Sequence, residues 1–321
     1  MHFPRASGAS GAFTALLTLL PLLPVSLAGC GGTASPQPSI SGSVYLGTVS
    51  GATVSAYAVD ANGHAAATPL ATVVTDADGH FVLPRASHWP LLVQSTGGSY
   101  TEEATGVRAP VGQSVLSAVY LAEPSTMVIT PYSSAVVVDA QTAGGLTASN
   151  VAAAATRVSA FLGGIDPQQT PPAFMATSTT ARTVADGNRM AFALGAESQS
   201  RVDNDLTVVA SVQSIVAQSA NGDTLAACHA GAGNVAADGS LIAPADDACY
   251  VTTGAANFAT NPLNHSGVTA LSMLGTTRAS DHQTASASAT ACGDRVWRCS
   301  MKTCGFSRDA RTVCRRRSCR A

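Results

Sequence analysis

Thr75-Asp76-Ala77-Asp78-Gly79-His80-Phe81 is the stretch that decides how this chain is read. An Asp at the head of such a segment can accept from backbone N–H groups just ahead of it and cap its own turn. The Gly supplies the positive φ that lets the chain leave. Apolar residues resume at 80–83, so the turn feeds a strand. An echo lies upstream in Asp60-Ala61-Asn62-Gly63-His64, again between apolar runs. Two turns of one construction point to short strands joined by tight connections.

Working outward, Ile40, Val44 and Leu46 alternate with Ser41, Ser43 and Tyr45, and Val54, Ala56 and Ala58 alternate with Thr53, Ser55 and Tyr57. Period-two alternation puts one set of side chains on each face of a strand. Further apolar runs at 70–75, 80–83, 89–95 and 115–121 are separated by turn residues. Several short strands at such spacing predict a sandwich or barrel. Gly42-Ser43-Val44, then Gly51-Ala52-Thr53-Val54, then Thr75–Phe81 resemble carboxypeptidase-regulatory-like domains, which are small transthyretin-like β-sandwiches. The resemblance covers residues 39–122. It implies an antiparallel sandwich and a non-catalytic module, with no catalytic residue and no cofactor to carry over.

Residues 125–275 change character. Thr130-Pro131 has the form of an N-cap followed by Pro at the first helical position, with Gly144-Gly145 as the stop. Thr147 or Ser149 can cap a second helix, with Val151, Ala155, Val158 and Leu162 on one face and Gly163-Gly164 closing it. Pro167, Pro171 and Pro172 mark a loop. Residues 180–199 read as a weaker helix, because Gly187 and Gly195 each cost about 1 kcal/mol relative to Ala. Asp203 or Asn204 can cap a fourth, with Leu206, Val209, Val212 and Val216 on its apolar face. The whole resembles the alanine-rich helical region that follows such a sandwich in some proteobacterial lipoproteins. The fold class expected is therefore α+β with separate domains, an antiparallel β-sandwich and then a mainly helical domain.

The N-terminus carries its own signal. Arg5 precedes a Leu-rich segment from about Phe13 to Leu27, broken by Pro21 and Pro24, and the segment closes on Leu27-Ala28-Gly29-Cys30. It is too short and broken for a membrane-spanning helix, and it resembles a bacterial lipoprotein export signal. On that resemblance residues 1–29 are removed, and the Cys30 thiol takes a diacylglycerol. Residues 30–38 become a flexible tether. Gly31, not an aspartate, follows the cysteine, which in such lipoproteins favours release to the outer membrane. The partner so implied is a membrane, reached through the N-terminal lipid; the alternative is an ordinary secretory signal with a chance cysteine.

Export makes the setting oxidising, so the isolated pair Cys228 and Cys249 is expected as a disulfide, the alternative being two free thiols. No His-x-x-x-His spacing supports a zinc site, and Asp76-Ala77-Asp78-Gly79 lacks the distal bidentate carboxylate of a calcium loop. His64 and His80 are read as exposed turn residues. With 11% charged residues and no basic stripe before residue 292, nucleic acid is excluded as a partner.

The tail differs from everything before it. Residues 292–321 hold nine of the 17 Lys+Arg and two of the 19 Asp+Glu, a net +7 against −9 for the preceding chain, together with Cys292, Cys299, Cys304, Cys314 and Cys319. Arg-rich, Cys-rich sequence is what a shifted frame of a GC-rich gene yields, so 276–321 reads as a disordered or frameshifted tail. The alternatives are a basic partner-binding tail or a small metal knuckle. The function expected is a lipid-anchored envelope protein that binds or scaffolds an envelope protein or glycan. The competing readings are a truncated accessory part of an envelope carbohydrate- or peptide-processing enzyme, and an adhesin-like stalk.

Overall fold

A computed structural model describes residues 38–181, 183–228 and 249–274 of the 321. The export signal at 1–29, Cys30, the tether up to residue 37 and the tail from 276 lie outside the described residues. The strands are β1 (Ser39–Val44), β2 (Thr53–Ala58), β3 (Ala71–Val74), β4 (His80–Pro84), β5 (Leu91–Thr96), β6 (Ser99–Thr101), β7 (Arg108–Pro110), β8 (Val115–Tyr120) and β9 (Met127–Ile129). The helices are α1 (Pro131–Thr142), α2 (Ala148–Phe161), α3 (Asp186–Asn204), α4 (Val208–Ala220) and α5 (Tyr250–Phe258). The fold is α+β, with sheets in the N-terminal half and helices in the C-terminal half. Among the described residues no helix is long and apolar enough to cross a membrane.

One sheet runs β4-β1-β9, a second runs β3-β2-β5-β8, and β6-β7 is a separate hairpin. Pairing is antiparallel except between β1 and β9, which are parallel. The first sheet is thus mixed, not wholly antiparallel as expected, because the chain crosses from β8 before β9 joins β1. β9 also carries the β part past residue 122. In β1, Gly42 is in register with Phe81 on one side and Met127 on the other. A Cβ at 42 would lie 2.7 Å from the Met127 Cβ and overlap the Phe81 ring. Two large inward side chains therefore meet over the one residue that leaves them room. Val44, Phe81, Leu83 and Ile129 of one sheet share an apolar cluster with Val54, Leu91, Val93 and Leu116 of the other.

The two Asp turns are built alike. Asp76 Oδ1 accepts from the backbone N–H of Asp78 at 2.9 Å and of His80 at 2.8 Å, and Asp60 Oδ1 accepts from Asn62 at 2.9 Å and His64 at 2.8 Å. Gly79 leaves its turn at φ 75° and Gly63 at φ 82°. The bonds from His64 and Asn62 outweigh what little burial does and hold the Asp60 carboxyl below its usual value. Each glycine carbonyl then accepts a distant N–H: Gly79 from Val44, Gly63 from Leu146, both at 2.9 Å. The first turn thereby docks onto the α1–α2 connection, and the second closes β1 against β4.

That docking belongs to a wider junction. The Thr130 hydroxyl accepts from the Ser133 N–H at 3.0 Å while the Ser133 hydroxyl accepts from the Thr130 N–H at 2.8 Å, a reciprocal cap at the start of α1. Ser133 also donates to the Ser117 carbonyl at 2.7 Å, and the Ser117 N–H donates to Ser134 at 2.8 Å, which fixes α1 along β8. Leu92 and Val119 of the second sheet lie in the same apolar cluster as Tyr132, Phe161, Phe192 and Phe258 of the helices. The two parts are therefore not separate domains. Leu92 and Val119 on the outer face of the second sheet belong to the helical core, and the described residues between Pro38 and Leu274 fall in one compact unit. Each fully buried ring contributes about 1.5–3 kcal/mol, so a chain with 5% aromatic residues concentrates much of its hydrophobic stabilisation in this shared core.

The helical part differs from expectation in three places. α3 spans Asp186–Asn204, and Asp203 and Asn204 end it rather than cap the next helix. Asp205 at φ 51° reverses the chain, and Thr207 caps α4 by accepting from the Ala210 N–H at 3.1 Å. In α4, Val208, Val212 and Ile215 are buried and Val209 faces out. Gly195 is not a flaw in α3. It faces the Phe258 ring of α5, while Gly254 of α5 faces the α3 backbone and Ser200, so the two helices pack closely through facing glycines.

Candidate functional site

Two features of the body bear on function: a buried ionic clasp and an open edge with an apolar cleft.

The clasp joins the β6–β7 hairpin to α3. Glu197 and Arg201 stand four residues apart on one helix face, with Ser198 beside them. Tyr100 and Glu102, two apart along an extended segment, present their side chains to that face. Arg201 donates from Nε to Glu197 Oε1 at 2.8 Å, from Nη2 to Glu102 Oε1 at 2.8 Å and from Nη1 to the Tyr100 hydroxyl at 3.0 Å. Tyr100 donates in turn to Glu102 Oε2 at 3.0 Å. The Ser198 hydroxyl donates to Glu102 Oε1 and accepts from the Ala104 N–H at 2.8 Å. All these residues are buried, and Glu103, half-buried, lies next to them.

Two carboxyl groups, Glu102 and Glu197, thus share one guanidinium, and Glu103 lies near both of them. Burial, then the charges of Glu102 and Glu197, push the Glu103 carboxyl up to about 8. Burial also raises Glu197, against the pull of Arg201. Burial alone would lower Arg201, but Glu197, Glu102 and Tyr100 outweigh it and hold the guanidinium firmly charged. Burial raises the Tyr100 hydroxyl as well. Chemically the site is closed, since its carboxylates are occupied by a guanidinium and by hydroxyls. Its work is to hold the hairpin on the helix. Among the described residues no group of three or more His, Cys, Asp or Glu side chains is placed to hold a metal ion.

The second feature is the unequal treatment of the sheet edges. On β8, Ser117 is satisfied by Ser133 and Ser134, and the Val119 N–H donates to Gln168 Oε1 at 2.9 Å. On β9, the Val128 N–H donates to the Gln168 carbonyl at 3.1 Å. Helix α1 and the 166–169 segment therefore close those edges. The opposite edges are β3 and β4, and among the described residues no strand pairs with their outer sides. Between them opens a cleft of about 200 Å³, lined by Ile40, Leu70, Leu83, Leu91 and Met127 with Arg85 at its rim.

Of the residues singled out in the sequence, Cys228 and Cys249 come together, with their sulfurs at bonding distance and Cα atoms 5.9 Å apart. Cys30 lies outside the described residues. His80 shares a 2.6 Å hydrogen bond with the Ser43 hydroxyl, and His64 sits 3.5 Å from Asp60. The sequence reading passes over Tyr100, Glu102, Glu103, Glu197 and Arg201. The signal that points to them is the Glu197/Arg201 spacing within an otherwise charge-poor helical region. No family model, curated protein or solved structure matches the chain.

Proposed function

We propose that this protein is a lipid-anchored component of the bacterial outer membrane with a non-catalytic binding role at the cell envelope. Its two sheets are read as a carboxypeptidase-regulatory-like sandwich braced by the helices. The ligand class proposed is an extended segment of an envelope protein, added as a further strand. One observation carries the reading: two sheet edges are closed by side chains, while β3 and β4 are left open beside an apolar cleft. Proteins protect exposed edges with charges, bulges or covers. Ala71-Thr72-Val73-Val74 and His80-Phe81-Val82-Leu83-Pro84 carry no Lys, Arg, Asp or Glu, and they expose Val74 (63%) and Val82 (56%). An edge without charged side chains is suited to strand addition.

A photo-crosslinking residue at Val74 or Val82 in living cells should give one discrete protein adduct. The same residue at Val202, exposed on α3, should give none. No adduct at either edge position, or an equal adduct at Val202, would refute the assignment.

A further inference from the structure

We infer that one end of the body is a bilayer-contacting face, with Trp89, Leu70 and Leu121 at the membrane interface. This rests on the lipid-anchor reading of Cys30 and extends it from the tether to the folded part.

The strand register defines the end. Ser39, the first residue of β1, is opposite Pro84, the last of β4. Leu91, the first of β5, is opposite Ala58 at the end of β2 and Tyr120 at the end of β8. The two sheets meet there, because the cleft takes lining from Ile40 and Leu83 of one and Ala56 and Leu91 of the other. The chain enters the body at this end, with the Arg85 N–H donating to the Pro38 carbonyl at 2.9 Å. Seven residues lie between Cys30 and Pro38, so eight Cα–Cα steps span at most about 28 Å when fully extended. A lipid on Cys30 therefore keeps this end within a short distance of the bilayer.

The chemistry of the same end fits that neighbour. Residues 65–70, Ala-Ala-Ala-Thr-Pro-Leu, are all exposed and uncharged, and Leu70 is 53% exposed. Leu121 is 38% exposed in the β8–β9 loop, and Trp89 is half-buried in the β4–β5 loop beside exposed His88. The α1–α2 connection, tied to this end through Gly63 and Leu146, has no formal charge from 140 to 156. The formal charges in the loops are few, and Arg85 pairs with Glu123 at 2.6 Å. The opposite end, by contrast, carries the exposed charged residues Asp76, Asp78 and Arg108. An indole with apolar neighbours and little net charge is the composition that settles at a headgroup boundary.

The chain has two tryptophans, so Trp297→Phe leaves Trp89 as the sole reporter. The full-length lipid-modified variant would be purified from membranes. It would then be reconstituted into vesicles of phosphatidylethanolamine and phosphatidylglycerol, with and without a lipid brominated near the top of its acyl chains. Brominated vesicles should leave Trp89 emission roughly halved, as for a ring at the interface. A second variant, Trp89→Phe and Trp297→Phe with Val202→Trp, reports from α3 alone and should keep its emission. Unquenched Trp89 in protein that floats with the vesicles overturns the inference and leaves the anchor intact. Equal quenching at both positions overturns it too, because no particular end then faces the lipid. Protein that fails to float shows that the anchor reading is wrong, and this inference falls with it.

Discussion

Gly195→Ala tests the packing account by the sign of its effect. On helix propensity alone the substitution stabilises α3 by about 1 kcal/mol. In the structure, a Cβ at 195 would intrude on the Phe258 ring and lie 2.7 Å even from its Cδ1, well inside ordinary carbon–carbon contact. Phe258 is 1% exposed and its ring lies tilted against Phe192 with centroids 5.8 Å apart, so packed neighbours oppose its retreat. Overpacking a filled core costs typically about 1–3 kcal/mol. Set against the propensity gain, the net expectation is a loss of up to about 2 kcal/mol, read as a lower urea midpoint with unchanged slope. Phe258→Leu removes most of the offending ring. Gly195→Ala made in that background should be neutral or stabilising, giving a coupling of about 1–3 kcal/mol between the two sites. A single mutant that is more stable than the parent, or a double mutant that is merely additive, would refute the close α3–α5 approach.

Other outcomes follow from the clasp and the cysteines. Glu103 holds its proton up to about pH 8 in the fold but only to about 4.5 when unfolded, so the native state binds the extra proton across that window. Its stabilisation is full below the unfolded value and is lost as pH rises toward 8. Glu103→Gln should flatten that decline in urea midpoint between pH 5 and 8, and an unchanged slope would exclude the assignment. Arg201→Ala leaves Glu197 and Glu102 buried without their cation and should cost about 3–5 kcal/mol. A loss below about 1 kcal/mol would mean the clasp is open to water. Peptide mapping without reductant should recover Cys228 linked to Cys249, whose closed loop is worth about 3 kcal/mol. Finding both thiols free to alkylate would count against an oxidised pair.

What is legible in the sequence is local. The Asp60 and Asp76 turns and the Thr130 and Thr147 caps depend on residues within four positions of one another, and they form as their spacing predicts. Of the α2 face anticipated from Val151, Ala155, Val158 and Leu162, all but the half-buried Ala155 are buried, and Ala154 and Phe161 join them. What escapes depends on distant partners. β9 is three residues long and is a strand because β1 lies beside it. α5 contains Gly254, which weakens it as an isolated helix and suits it to the face of α3. Gly195 and the Asp203–Asp205 boundary mislead for the same reason: propensity ranks residues one at a time, and their neighbours come from elsewhere in the chain. The clasp is the clearest case, since Tyr100 and Arg201 meet across a hundred residues of sequence.

Cys30 is proposed here as the acylated start of the mature chain. Mass analysis of the protein extracted from the membranes of its host addresses it directly. The account predicts an N-terminal peptide that begins at Cys30 and carries diacylglycerol on sulfur, with palmitate label absent from a Cys30→Ala variant. A polypeptide in which Cys30 is an unmodified thiol, whether the leader is retained or cut elsewhere, would contradict it.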